Sequence, residues 1–232
     1  MDTRDDFAEK AARRARRIRK EDPRFREVTE ALRVEFARHD APVIDLMAAQ
    51  TRNPLMVLVG TLLSARTKDD TTAQACKRLF AHGGTIGELD RLSEDEIAGL
   101  IFPVGFYRTK AKHIKALFAE LRARFGGEVP RTIPELCTLP GVGRKTANLV
   151  LIHAFDTPAI CVDVHVHRIS NRLGLVKTST PAETEMELRA RLPADLWKDW
   201  NSIIVSFGQT RCRPVHPKCD GCPIRHLCGA GA

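Results

Sequence analysis

Leu139-Pro140-Gly141-Val142-Gly143-Arg144-Lys145-Thr146 is the stretch on which the fold turns. Pro140 and Gly141 end a short helix that begins near Thr132, and Gly141 and Gly143 permit positive φ and close backbone approach. A second helix starts at about Arg144 and runs through Thr146 to Ile152. The N–H groups at its start have no intrahelical partner, which makes them a ready site for a phosphate. Two nucleotide motifs are excluded. A Walker loop requires adjacent Gly and Lys, but Arg144 separates Gly143 from Lys145, and the dinucleotide fingerprint fails because Thr146 occupies its third glycine position. The spacing predicts a helix–hairpin–helix.

Outward from the hairpin, the chain reads as a series of helices with marked starts. Asn53-Pro54 is an N-cap followed by proline at the first helical position, ahead of the apolar run Leu55 to Leu63. Ser93 to Glu96, Thr132 to Glu135 and Thr180 to Glu183 fit the S/T-x-x-E capping box. Strand signals are weak. Val162, Val164 and Val166 alternate, but they lead into Ile169 and Leu173 at helical spacing, and no Asn-Gly or Asp-Gly hairpin turn follows. The expected class is all-α.

The 232 residues carry 37 Lys+Arg against 29 Asp+Glu, a formal charge of +8, with 43% apolar residues. That composition excludes a wholly disordered chain and supplies one large or two small cores. No apolar run reaches the roughly 18–20 residues of a membrane span, and the start lacks the apolar region of a secretory signal, so a soluble, intracellular protein without a membrane partner is expected, cytoplasmic and nucleoid-associated if the source is bacterial or archaeal. The charge is uneven. Residues 1–20 hold eight basic and four acidic side chains, and Gly208 to Cys228 holds four basic side chains and one acidic. The first stretch reads either as a solubilising tail or as an arm that touches nucleic acid.

Lys145 lies in the first turn of the second hairpin helix. The helix dipole and Arg144 disfavour its charged form, and partial burial would add to this, so it is a possible amine nucleophile as well as a plain phosphate ligand. In Val162-Asp163-Val164-His165-Val166-His167-Arg168, Asp163 has three readings. It could cap a helix, join His165 and His167 at a metal, or present a carboxylate that stabilises positive charge. Local sequence does not choose among them.

Cys76, Cys137 and Cys161 stand alone in apolar contexts and read as small core residues. Cys212-x6-Cys219-x2-Cys222-x5-Cys228 is different: four thiols this close can chelate one metal centre. Zinc and an iron–sulfur cluster both fit four thiolates, and the uneven spacing leaves both open. Arg213 and Lys218, on the longest of the intervening loops, are placed for display to phosphates.

Together these segments resemble the endonuclease III family of DNA glycosylases. LPGVGRKTA, VDVHVHR eighteen residues on from Lys145 to Asp163, and the cysteine tail occur in the family's order and spacing. Asn53 to Asp69 and Gly105 to Ala111 also look like family segments. The resemblance implies a two-lobed helix–hairpin–helix glycosylase fold. A six-helix barrel would occupy residues 47–157, and a helical lobe from residues 21–46 and 158–232 would hold a 4Fe–4S cluster on Cys212, Cys219, Cys222 and Cys228. It implies a monomer acting on double-stranded DNA that contains damaged bases or abasic sites.

The resemblance further implies a bifunctional glycosylase/AP lyase of base excision repair that removes oxidised pyrimidines such as thymine glycol. Lys145 would be the nucleophile and Asp163 the stabilising carboxylate. DNA contacts would come from Arg66, Phe106, Leu139, Gly141, Val142, Gly143, Arg144, His165, Arg213 and Lys218. Two positions depart from the family. After Leu62-Leu63-Ser64-Ala65, where glutamine is common, stands Arg66, and the partner wedge position, often leucine, is Phe106. A reading from another class, a DNA-structure-binding or redox-sensing protein without catalysis, has no use for Lys145 together with Asp163.

Overall fold

The computed structural model describes residues 22–37 and 53–230. The basic stretch 1–20 and residues 38–52, which fall within the expected lobes, lie outside the described residues. Among the described residues all regular structure is helical and no strand forms, and no helix is long and apolar enough to cross a membrane. The described residues fall into two compact units, one within Met1–Asp40 and Ile160–Ala232, the other within Ala41–Ala159.

The first unit contains α1 (Arg24–Phe36), and the second contains α2 (Pro54–Ser64), α3 (Asp69–Phe80), α4 (Ile86–Leu89), α5 (Glu94–Ile101), α6 (Tyr107–Phe125), α7 (Ile133–Leu136) and α8 (Arg144–Phe155). α2 is apolar on every side, and Leu55 and Val57 to Leu63 are all buried, as expected of a helix surrounded by others. Its start is fixed by Asn53, whose Oδ1 accepts the N–H groups of Leu55 and Met56 at 2.9 and 3.3 Å. α8 packs along it through Ala147 to Ile152. α6 presents Ala111, Ile114, Leu117, Phe118 and Leu121 to the core at i, i+3, i+4 intervals.

Of the three expected capping boxes, only Ser93–Glu96 closes both ways, with Glu96 N–H on Ser93 Oγ at 3.2 Å and Ser93 N–H on Glu96 Oε2 at 2.7 Å. Thr132 and Thr180 accept the N–H of Glu135 and Glu183 at 3.3 and 3.2 Å, but Glu183 turns its carboxylate to the N–H of Ser179 instead. A pattern not singled out from sequence, Thr85 to Glu88, also caps: Glu88 Oε2 accepts the Thr85 N–H at 3.0 Å.

The later part of the first unit holds α9 (Val164–Arg172), α10 (Pro181–Arg191) and α11 (Trp197–Thr210). Val164 and Val166, the weak strand signal, lie in the first turn of α9. α1 joins these distant residues through apolar packing and ion pairs. Phe25 meets Trp200 edge-on with centroids 5.3 Å apart, and both side chains are fully buried. Around them Arg26 pairs with Asp195 at 2.8 Å, Arg33 with Asp199 at 2.9 Å and Arg211 with Glu35 at 3.1 Å. The two exposed pairs, Arg26–Asp195 and Arg33–Asp199, add little each; burial of Phe25, Val28 and Leu32 does most of the holding.

Candidate functional site

In the second unit the hairpin forms as read. α7 ends after Leu136, the Val142 N–H reaches back to Leu139 O at 3.1 Å, and α8 begins at Arg144 with the Ala147 N–H on Gly143 O at 2.9 Å. The two glycines differ in a way the sequence did not separate. Gly141 has φ +76, in the left-handed region, and a Cβ there would sit 3.0 Å from His113 Nδ1. Gly143 has φ −94 and ψ 174, ordinary extended backbone, with nothing within 4 Å of its Cβ position. Positive φ is therefore needed at Gly141 alone.

Gly143 is an N-cap without a side chain, and α8 carries Arg144 and Lys145 in its first turn and no acid. Cations at this end oppose the helix dipole, so the arrangement is unfavourable until an anion arrives. Both side chains are exposed, so burial adds nothing to the effect of the dipole on Lys145. Leu139 and Val142 are 3% and 6% exposed. Their side chains pack inward, and these positions can meet a ligand only through backbone atoms.

Arg66 and Phe106 lie on neighbouring loops of this unit, after α2 and before α6 respectively. Both are exposed, both are left-handed, with φ 57 and 58, and the Arg66 guanidinium carbon lies 5.3 Å from the Phe106 ring centroid. Nothing in the sequence announced that two non-glycine residues would share this conformation.

In the first unit Asp163 is the N-cap of α9. Its Oδ1 accepts the N–H groups of His165 and Val166 at 2.8 and 2.9 Å. The metal reading of Asp163, His165 and His167 has no support: His167 Nδ1 bonds Thr184 Oγ1 at 2.7 Å and His165 Nδ1 lies 3.2 Å from Arg168 Nη2, and no such metal group forms among the described residues.

One turn further along α9, Arg168 Nη2 donates to Cys212 O at 2.9 Å, and Arg172 donates to Arg213 O at 2.7 Å and to Pro214 O at 2.8 Å. These two arginines hold the first cysteine loop. Sequence reasoning missed them because their partners are carbonyls some forty residues away, which no residue type announces.

Cys212, Cys219, Cys222 and Cys228 are free thiols that line one cavity with Ile169, Leu173, Phe207 and Ile224. Burial pushes the Cys222 thiol up from its ordinary value against the backbone N–H of Ile224 and the charge of Arg211, with neighbouring Cys212 and Cys228 adding to the rise. The four sulfurs therefore share a pocket, yet among the described residues no three side chains are drawn together as ligands of one ion. The donor set, four thiols lining one cavity, suits a thiolate-bound centre. Around it, part-buried Arg211 is engaged with Glu35, while Arg213, Lys218 and Arg225 are exposed, Arg225 beside an equally exposed Asp220. Among the isolated cysteines, Cys76 and Cys161 are buried as expected, but Cys137, at the C-cap of α7, is exposed and is not a core residue.

A hairpin with a cationic helix start, a capped aspartate and a four-cysteine pocket define a class. Residues 59–194 match the HhH-GPD superfamily of base excision DNA repair proteins, and the chain belongs to that superfamily. Within it the chain falls in the endonuclease III family, whose members are DNA glycosylase/AP lyase enzymes. It is 47% identical to endonuclease III of Thermotoga maritima over 76% of this chain and 83% of that protein. It is 42% identical to endonuclease III-like protein 1 of Mus musculus over 86% of this chain and 70% of that protein. A structure of a trapped endonuclease III–DNA covalent intermediate superposes with a TM-score of 0.76 at 36% identity, covering 89% of this chain and 96% of the other.

Proposed function

We propose that this chain is a bifunctional glycosylase/AP lyase that removes oxidised pyrimidines, of which thymine glycol is the type, from double-stranded DNA. The observation that carries this reading is Lys145, exposed in the first turn of α8 beside a helix start with no acidic neighbour in that turn. A phosphate-binding hairpin needs no amine at that position, whereas a lyase does. The solved relative trapped as a covalent intermediate with DNA supports the same chemistry.

In this reading the damaged nucleotide is rotated out of the duplex. Lys145 Nζ, as the free amine, attacks C1′. The C1′–N bond breaks, and the base leaves with its bonding electrons and takes up a proton. The sugar ring opens to a Schiff base between Nζ and C1′. Removal of a C2′ proton then expels the 3′ phosphate by β-elimination, and water releases Lys145. Asp163 stabilises the positive charge that develops on the sugar as the base departs. The amide groups at the start of α8, with Gly141, Gly143 and Arg144, bind backbone phosphate, joined by the backbone of Leu139 and Val142. Arg66 and Phe106 fill the gap left by the extruded base, Arg66 by hydrogen bonds to the orphaned partner and Phe106 by stacking. His165, Arg213 and Lys218 add contacts to the DNA backbone.

Cys212, Cys219, Cys222 and Cys228 would hold a 4Fe–4S cluster, which when bound supplies a rigid, redox-capable clasp for the loop that carries Arg213 and Lys218. Arg168 and Arg172 secure that loop from α9.

Borohydride reduction during reaction with a thymine-glycol duplex tests the reading. A covalent protein–DNA adduct is expected, and Lys145→Ala is expected to abolish it. An adduct undiminished in Lys145→Ala assigns the nucleophile elsewhere. DNA binding without base release from any oxidised pyrimidine favours the non-catalytic alternative.

A further inference from the structure

Lys110 has no part in the chemistry above, yet it occupies a conspicuous place. It lies in the first turn of α6, half-buried, and its Nζ donates to Leu63 O at 2.8 Å, Ala65 O at 2.6 Å and Thr67 Oγ1 at 3.2 Å. These acceptors bracket Arg66. Thr67 Oγ1 in turn accepts the Gly105 N–H at 3.2 Å, next to Phe106. The loops meet so closely at that point that a Cβ on Gly105 would lie 2.6 Å from Arg66 O.

Arg66 and Phe106 are both held in left-handed backbone, at φ 57 and 58, which side chains other than glycine resist. Their mutual contact, a guanidinium 5.3 Å from an exposed ring, is too weak in water to maintain two such residues. Something else must hold them, and the bonds radiating from Lys110 run to the backbone on either side of Arg66 and, through Thr67, to the backbone before Phe106.

We infer that Lys110 is a positioning residue for base extrusion: its ammonium locks the Arg66 and Phe106 loops into a preassembled wedge. This rests on the reading of Arg66 and Phe106 as the gap-filling pair. Burial lowers the Lys110 ammonium to about 8, so the fold keeps a cation where burial opposes it. A hydrophobic residue of similar length would fill the same space without that cost. The lock acts before any bond breaks, on the step that opens the duplex, and leaves the amine chemistry of Lys145 alone.

The test compares substrates that do and do not require extrusion. Single-turnover base release from a thymine-glycol duplex should fall by about tenfold or more in Lys110→Met, while strand cleavage at an abasic site in single-stranded DNA stays within about twofold of wild type. Lys110→Arg, which keeps a charged donor, should recover most of the duplex rate. In the duplex assay Lys110→Met/Phe106→Ala should be no slower than Phe106→Ala alone, because the two act on one step. Equal loss on both substrates, or full multiplication of the two defects, would overturn the proposal in favour of a general structural role.

Amide hydrogen exchange separates failure of this proposal from failure of the glycosylase reading. With the melting temperature unchanged, faster exchange confined to residues 64–67 and 105–106 in Lys110→Met is expected even if the wild type released no base from any lesion. Unchanged exchange there would remove the lock.

Discussion

Asp163 Oδ1 accepts the backbone N–H of Val166 at 2.9 Å, so the proposed charge-stabilising carboxylate is also the cap of its own helix. The His165 N–H reaches the same oxygen, at 2.8 Å, and neither bond uses Oδ2. Capping and catalysis were competing readings of Asp163 in the sequence. In the structure they are compatible, because one oxygen fixes the side chain by two bonds while the other is left for a cationic partner.

That division separates two substitutions. Asp163→Asn retains a capping oxygen, so its melting temperature should match wild type, while base release in a single turnover should drop by about 10²-fold or more with the loss of charge. Asp163→Ala should lose activity and also about 1 kcal/mol of stability, as caps usually cost. Equal destabilisation by both variants would mean that the cap contributes nothing.

The hairpin glycines make a second pair. Gly141→Ala forces a Cβ to 3.0 Å from His113 Nδ1 at φ +76, and should destabilise the protein by about 1–2 kcal/mol in urea unfolding. Gly143→Ala meets nothing within 4 Å in the protein and should fold normally. Its methyl group would stand at the start of α8 where a phosphate is proposed to dock, so duplex affinity should fall by about tenfold. Normal affinity in a well-folded Gly143→Ala would place the phosphate elsewhere.

The cysteine pocket predicts a brown protein with broad visible absorbance, four irons and no stoichiometric zinc, measured by metal analysis. Cys222→Ser should lose the colour. Because Ile169, Phe207 and Ile224 line the same cavity, metal loss should also loosen the packing of α9 against α11, visible as faster hydrogen exchange there but not in α2 or α8. Colourless wild-type protein with one zinc would refute the cluster.

How far the site could be read in advance follows from how local each interaction is. The hairpin, the Asn53 and Ser93 caps and the cysteine spacing are determined by residues within a few positions of one another, and each left a pattern in the sequence. The union of α1 with residues beyond 160 left none, since Phe25 against Trp200 depends on the path of the chain between them. The same holds for Lys110, Arg168 and Arg172, whose acceptors are backbone carbonyls or a hydroxyl remote in sequence. Conformation was also silent: Phe106 reads as an exposed aromatic whether or not it is left-handed.

Asp22 gives a pH-dependent prediction. The Arg24 guanidinium holds its carboxyl below the ordinary value of 3.8 despite opposing burial, and Arg191 at 3.2 Å adds to the effect. A carboxyl with a lowered folded pKa adds stability above its unfolded pKa and loses it as pH falls through the folded one. Wild type should therefore exceed Asp22→Asn by about 1 kcal/mol at pH 7, a value reduced for the part-exposed arginine, and the gap should shrink as the pH is lowered past the ordinary carboxyl value of 3.8 and through the lowered folded one. Denaturant midpoints across that range check this; a constant gap would mean that the charge is not responsible.

The cationic loop sets the last prediction. Arg213 and Lys218 are exposed, whereas Arg211 is part-buried and committed to Glu35. If both exposed cations meet phosphates, Arg213→Ala/Lys218→Ala should reduce the slope of log affinity against log salt by about 1.8, at roughly 0.9 per phosphate. Arg211→Ala should change the slope less, since its charge is paired with the part-buried Glu35 within the protein. The loop contacts are sequence-independent, so the double variant should lose affinity equally for damaged and undamaged duplexes. A loss confined to the damaged duplex would instead make this loop a reader of the lesion, a role for which its distance from Lys145 along the chain gives no warrant.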